Sequence, residues 1–179
     1  MKGKKLMKTS ATTDTTPAIV PNFDAETPTG RKLAVIFSKG SLDMAFTGLV
    51  LANAALGEAV ETHILFTSWG VDVINKETMQ NLQVSLGNSA TDMPEDLGGL
   101  PIETALATAR LKQSIAEVDA PEVPEFLAQI VDSGGHIWAC STSAEMNHLT
   151  KEDLFDEVEG IISASDFIDM TEGAQFIFI

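Results

Sequence analysis

The stretch Arg31-Lys32-Leu33-Ala34-Val35-Ile36-Phe37-Ser38 is an almost continuous apolar run that begins abruptly after a polar segment. A run of this length without alternation is typical of a β-strand that is buried on both faces. Residues 39–41 predict a turn, and residues 43–56, rich in Ala, Leu and Met, predict a helix that ends before Gly57. A buried strand followed at once by a helix favours a parallel sheet with helices packed on it.

The same pattern of strand and helix recurs through the rest of the chain. Further buried strands are predicted at 60–66, 136–139, 158–161 and 175–179, and good helices at 102–118 and 121–132. Shorter helices are predicted at 71–77, 143–149 and 165–172. This alternation predicts an α/β fold, namely a three-layer α/β/α domain over residues 31–179 with a mainly parallel sheet of about five strands.

Two segments show no periodicity of either kind. Residues 1–30 are dominated by Thr, Ser, Pro and Asp, and this composition predicts a disordered leader. Residues 83–100 carry three glycines and a proline, and they predict a long loop inside the domain.

The charge and composition of the chain exclude several classes of function. The 179 residues carry a formal net charge of −15, and from Leu33 onward five Lys/Arg face twenty-three Asp/Glu. A body this acidic repels phosphate backbones, so we expect no nucleic-acid partner. No apolar run is long enough to span a bilayer, and the basic start lacks the apolar stretch of a signal peptide. The single cysteine fits a reducing compartment, so we predict a cytoplasmic protein.

That single cysteine, Cys140, lies where an apolar run (His136-Ile137-Trp138-Ala139) meets a Ser/Thr-rich segment. The pattern predicts a strand that leads directly into the N-terminus of a helix, with the sulfur at the junction. Free N–H groups and partial positive charge collect at such a junction and favour thiolate over thiol. The alternative stays open, because free cysteine is among the most buried residue types and often only packs.

The carboxyl ends of parallel strands meet at one edge of a sheet, where reactive groups collect. Three segments are therefore expected to converge there: residues 38–41, 67–70 and 140–143. We predict Cys140 as the reactive group, with the thiolate-stabilising or pocket residues Lys39, Gly40, Ser41, Thr67, Ser68, Trp69, Thr142 and Ser143. The sequence shows no zinc-ligand spacing and no complete phosphate-binding loop, so we expect neither a metal nor a cofactor.

Several stretches together resemble one family, the DsrE/DsrF-like proteins, in their sulfur-oxidiser branch. The stretches are Ser38-Lys39-Gly40-Ser41-Leu42-Asp43-Met44-Ala45, residues 49–56, residues 64–70, Ala139-Cys140-Ser141-Thr142-Ser143 and the tail 160–179. They follow one another in the family's order across residues 31–179. The leader is not covered by this resemblance.

The resemblance implies a three-layer α/β/α domain that forms homo-oligomers. It also implies that sulfane sulfur is held as a cysteine persulfide, accepted from a donor protein and passed to a partner such as a TusA-like protein. By position, the acceptor is Cys140. The chain departs from the relay proteins of the family at residues 75–100, where their carrier cysteine lies and this chain has none.

Two hypotheses follow for the function. In the first, the protein is a sulfur-carrier or sulfurtransferase component that holds persulfide sulfur on Cys140. In the second, it is a non-catalytic, homo-oligomeric binding or scaffold protein of the same fold, in which Cys140 is structural.

Overall fold

The computed structural model describes residues 30–85 and 101–179. The predicted leader, apart from Gly30, and most of the predicted loop at 83–100 lie outside the described residues. Among the described residues, no helix is both long enough and apolar enough to cross a lipid bilayer.

Five parallel strands form a single sheet, as the buried apolar runs predict. In chain order they are β1 (Lys32–Phe37), β2 (Glu61–Phe66), β3 (His136–Cys140), β4 (Gly160–Ile162) and β5 (Gln175–Phe178). Their order across the sheet is β4-β3-β2-β1-β5, and every neighbouring pair is parallel. The predicted fold class is therefore confirmed, and β1 is the strand at which the order reverses.

Within residues 30–85 and 101–179, five α-helices connect the strands. They are α1 (Leu42–Gly57), α2 (Pro101–Glu117), α3 (Val123–Asp132), α4 (Ser141–Met146) and α5 (Ala164–Met170). Two short 3₁₀ turns, Ser68–Val73 and Lys151–Asp153, follow β2 and α4.

Several helix boundaries differ from the sequence-based prediction, and three of them bear on the layout of the domain. The helix expected at 71–77 is the 3₁₀ turn Ser68–Val73, and α3 begins at Val123 rather than at residue 121. Helix α4 begins at Ser141, directly after the thiol, rather than at residue 143. This third shift matters most, because it makes Cys140 the N-cap residue of α4.

The two faces of the sheet are covered unequally. Alternate strand residues such as Val35, Ile64 and Ile137 enter a large core with α1 and α3. On the other face, a small cluster consists of Ala34, Leu65, Cys140 and Phe167. Phe167 is the contribution of α5, which has only seven residues. We call this smaller face the second face.

The last strand is not buried as the sequence suggested. Phe176 of β5 is 50% exposed and Phe178 is 69% exposed. The apolar run of β5 implies burial on both faces, but β5 lies at the edge of the sheet and pairs only with β1. The short α5 contacts Phe176 through Phe167 and leaves the rest of the second face of β5 open in the described part of the chain.

Candidate functional site around Cys140

The carboxyl ends of β1, β2 and β3 lie side by side, so the three loops that follow them are neighbours. Thr67, the first residue after β2, donates its N–H to the carbonyl of Phe37 at the end of β1 (2.8 Å). The loops approach closely at two glycines. A Cβ on Gly70 would overlap the Phe37 carbonyl, and a Cβ on Gly40 would overlap the Trp69 carbonyl.

Cys140 ends β3 on the second face of the sheet and caps α4. Its backbone is extended (φ −72°, ψ 125°), and the next residue is already helical. The residue is only 7% exposed and packs in the cluster with Leu65 and Phe167. The thiol is therefore buried at the junction that the sequence predicts.

Two hydroxyl groups, one from the loop after β2 and one from the first turn of α4, meet beside this thiol. Thr67 Oγ1 and Ser143 Oγ are 3.1 Å apart. The N–H of Ser68 donates to Ser143 Oγ at 2.7 Å, so that oxygen already has a donor and its own proton is free for another acceptor. Ser68 adopts φ +50°, a conformation that a non-glycine residue seldom holds without local support. The backbone after β2 is thus shaped to hold Ser143.

These groups change the acidity of Cys140. Burial is the largest single influence and raises the pKa of the thiol. Hydrogen bonds from the Ser143 N–H, the Thr67 hydroxyl, the Ser143 hydroxyl and the Thr142 N–H act in the opposite direction. Together they outweigh burial, and the pKa of Cys140 lies below its ordinary value. Since the thiolate is the nucleophile, the site favours the reactive form.

The other predicted site residues lie around this centre without bonding to the sulfur. Gly40 packs against Trp69 and Asp72, and the Ser41 hydroxyl is buried with no hydrogen-bond partner among the described residues. The side chain of Trp69 is 69% exposed. Lys39 is exposed and is not among the groups that shift the pKa of Cys140. The thiolate is stabilised by neutral hydroxyl and N–H donors rather than by a nearby cation.

Sequence reasoning missed Trp138 as a neighbour of the site. It lies two residues before Cys140 on the same strand, so both side chains point to the second face. Its indole packs against the cluster that contains Cys140. The period-two alternation of a strand was the signal that could have placed it there.

His136 lies on the same strand at the opposite, amino end. Its ring stacks on that of His63 with centroids 4.6 Å apart, and its Nδ1 pairs with Glu159 at 2.6 Å. This pair is a full strand length from the thiol. Within residues 30–85 and 101–179, no group of three or more His, Cys, Asp or Glu side chains could hold a metal ion.

An apolar cleft opens elsewhere, between the N-termini of α1 and α3 and the C-terminal half of α2. It is lined by Leu42, Phe46, Ile115, Pro121 and their neighbours. None of its lining residues belongs to the Cys140 site.

Comparison with known proteins agrees with this arrangement. The profile of the DsrE/DsrF/DrsH-like family matches residues 29–178. The sulfur carrier protein DsrE2 of Allochromatium vinosum is 28% identical over 146 residues, which are 76% of this chain and 91% of that protein. The uncharacterised protein YrkE of Bacillus subtilis is 23% identical over 157 residues, covering 84% of this chain and 98% of YrkE.

A solved structure shares the fold. The protein MTH1491 from Methanobacterium thermoautotrophicum, itself of unknown function, superposes with a TM-score of 0.53 at 13% identity. The match covers 83% of this chain and 99% of MTH1491. The family that the sequence resembles is confirmed, and the match to a sulfur carrier protein agrees with its sulfur-oxidiser branch. The chain belongs to the DsrE/DsrF/DrsH-like family.

Proposed function

We propose that the protein carries sulfane sulfur as a persulfide on Cys140 and passes it to a partner protein. One observation carries this proposal. Hydroxyl and N–H donors from Thr67, Thr142 and Ser143 surround the thiol and lower its pKa although the residue is buried. A cysteine that only filled space in the core would have its pKa raised by burial alone.

The proposed reaction is a thiol–persulfide exchange that needs no outside oxidant. The Cys140 thiolate attacks the outer sulfur of a donor R–S–SH. A new S–S bond forms to Sγ, the S–S bond of the donor breaks, and its electron pair leaves on the donor as R–S⁻. Transfer to the acceptor is a second exchange of the same kind. The acceptor's thiolate attacks the outer sulfur held on Cys140, and Cys140 leaves as a thiolate.

The relatives support a relay role. One is named a sulfur carrier protein, and it aligns over 91% of its own length. The family resemblance makes a TusA-like protein the candidate acceptor. Because Cys140 is 7% exposed, access favours a small polysulfide or a narrow cysteine-bearing segment as the donor. As a component that transfers sulfur, the protein would count as a sulfurtransferase.

Intact-mass spectrometry of the native protein tests this proposal. After incubation with inorganic polysulfide, we expect a gain of one or more sulfur masses that a thiol reductant removes. Cys140→Ser should show no gain, whereas the neighbouring Ser141→Ala should retain it. Mixing the loaded protein with a TusA-like protein should then move the added mass to the acceptor. Formation of the same adduct on Cys140→Ser would contradict the proposal.

The scaffold hypothesis is the second candidate, and two observations favour it. Cys140 is nearly buried, and the edge strand β5 exposes two phenylalanines that could join protomers. Under this hypothesis, native Cys140 reacts with iodoacetamide no faster than a buried core cysteine. Rapid alkylation at neutral pH would exclude a purely structural thiol.

A further inference from the structure

Trp138 carries a donor that the described structure leaves unused. Its indole Nε1 is buried, and no hydrogen-bond acceptor reaches it within the described part of the chain. Indole nitrogen is a donor only, and a buried indole N–H usually has a partner. Leaving such a group unpaired costs stability, so an unpaired donor that packs against the cluster of Cys140 calls for an explanation.

The orientation of the ring narrows the place where an acceptor could lie. A Cβ built on Gly160 of β4 would lie 3.6 Å from Cζ3 and 3.9 Å from Cε3 of Trp138, so the six-membered edge faces β4. The nitrogen is on the opposite edge of an indole and therefore points away from β4. On that side, β2 presents Leu65, which pairs in register with Trp138, and then Thr67.

A persulfide changes where the negative charge of the site lies. The donors from Thr67, Thr142 and Ser143 converge on Sγ, where the charge of a thiolate is held. In an ionised persulfide the charge moves to the outer sulfur, about 2 Å beyond Sγ. That atom needs a donor of its own, since a buried charge without one is costly.

We propose that the indole N–H of Trp138 is the donor that holds the outer sulfur of the Cys140 persulfide. Both side chains lie on the second face and share one packed cluster, and Trp138 makes no hydrogen bond to Sγ in the free protein. An added sulfur places the charge about 2 Å from the atom on which those donors converge. Trp138 is thus a specificity residue: it favours the loaded state over the free thiol. This inference rests on the proposed persulfide function.

Indole N–H resonances give a direct test, because the chain has only two tryptophans. In the full-length ¹⁵N-labelled protein, Trp69→Phe assigns the two signals. Adding inorganic polysulfide should move the Trp138 proton downfield, as expected for a new hydrogen bond to an anion. Reductant should reverse the shift, and Cys140→Ser should not show it. The signal of the exposed Trp69 serves as the internal reference.

Substitution gives a second readout. Trp138→Phe keeps an aromatic ring but removes the N–H. At a fixed concentration of polysulfide, the ratio of loaded to free protein should fall about tenfold, as expected for one lost hydrogen bond to a charged group. Leu106→Ser, at an exposed position of α2 outside the Cys140 site, is the control and should leave this ratio unchanged.

The outcomes separate this inference from the function on which it rests. A sulfur adduct that forms while the Trp138 signal stays in place would overturn the role of Trp138 and leave the carrier function intact. If polysulfide forms no adduct with the protein, both the role of Trp138 and the carrier function are contradicted. The NMR measurement is made on a protein that retains both Trp138 and Cys140. It therefore tests the role of Trp138 even if Trp138→Phe folds poorly.

Discussion

At the scale of single residues, four hydrogen-bond donors lower the pKa of one buried sulfur. Ser143 has the central place, because it contributes both its N–H and its hydroxyl to Cys140 while accepting from Ser68. Thr67 adds a hydroxyl from the neighbouring loop.

Ser143→Ala should raise the pKa of Cys140 toward its ordinary value, because it removes the hydroxyl donor and keeps the backbone N–H. At any pH below the ordinary pKa of a cysteine, a smaller fraction of Cys140 is then present as thiolate. We expect alkylation by iodoacetamide near neutral pH to slow about threefold to tenfold, the effect of one lost hydrogen bond. The measurement is the rate of alkylation as a function of pH, followed by mass spectrometry.

Two controls make this prediction specific. Ser141→Ala removes a hydroxyl that is not among the donors to Cys140, and Lys39→Ala removes the basic side chain that the sequence placed near the thiol. Both should leave the pH midpoint of alkylation where it is in the unchanged protein. A lower midpoint in Ser143→Ala would contradict the role assigned to this hydroxyl.

At the scale of elements, the site depends on turns that are held by close backbone contacts. Gly70 lies in the 3₁₀ turn after β2 and donates its N–H to Thr67 at 2.8 Å. A Cβ at this position would meet the backbone carbonyl of Phe37, which cannot move without disturbing β1. The turn that carries Thr67 and Ser68 is therefore tied to the first strand.

Gly70→Ala should lower the free energy of unfolding by about 1–3 kcal/mol, the usual cost of overpacking. It should also slow alkylation of Cys140, because the turn that holds Thr67 must shift. Chemical denaturation measures the first effect. Gly160→Ala is the control, since its Cβ would make only ordinary contacts with Trp138. Equal stability of the two variants would show that the turn has room to relax.

Helix α5 offers a second prediction at this scale, because it supplies Phe167 to the cluster around Cys140. Its N-cap Ser163 forms a reciprocal capping box with Asp166, in which Ser163 Oγ accepts from the Asp166 N–H at 3.1 Å. Ser163→Ala should cost about 1 kcal/mol of stability. Thermal unfolding should show a fall in Tm of about 2–4 °C for a chain of this size.

The nearby Ser165→Ala is the natural comparison for this cap. Ser165 is exposed inside α5 and takes no part in the capping box. Ser165→Ala should therefore lower Tm by much less than Ser163→Ala does. A loss of stability that is the same in both variants would contradict a stabilising role of the capping box.

At the scale of the whole molecule, the residues that the structure describes cover the second face of the sheet poorly. Parallel sheets are normally buried on both faces, and exposed apolar edge strands invite pairing with another chain. Phe178 is 69% exposed, Phe176 50% and Ile168 of α5 59%. We propose that a second copy of the chain covers this surface, in line with the homo-oligomer that the family resemblance implies.

Phe178→Ser should therefore reduce the mass of the protein in solution, as measured by light scattering coupled to size-exclusion chromatography. The change removes apolar surface from an exposed position, so the fold of the protomer should persist. Leu106→Ser is the matched control, because Leu106 is 66% exposed on α2, away from β5. A mass that stays the same in Phe178→Ser, or one that also falls in Leu106→Ser, would contradict an interface at β5.

The sequence by itself determined the fold class and the order of the elements. Long apolar runs at residues 31–38 and 60–66 can be stable only where a sheet is covered on both faces, and helical periodicity between them leaves a parallel arrangement. The position of Cys140 at a strand–helix junction also followed from local pattern, because Ser and Thr residues after an apolar strand favour a helix start.

Only the tertiary structure decided which groups meet the sulfur and which strand stays open. Thr67 and Ser143 are 76 residues apart, and their contact depends on β2 and β3 being neighbours in register. Lys39, one loop further along the edge, remains in solvent. Strand β5 has a buried strand's composition, yet its exposure depends on its place at the edge, which no local pattern encodes. Local propensity acts within a few residues, whereas these contacts depend on how distant strands are ordered.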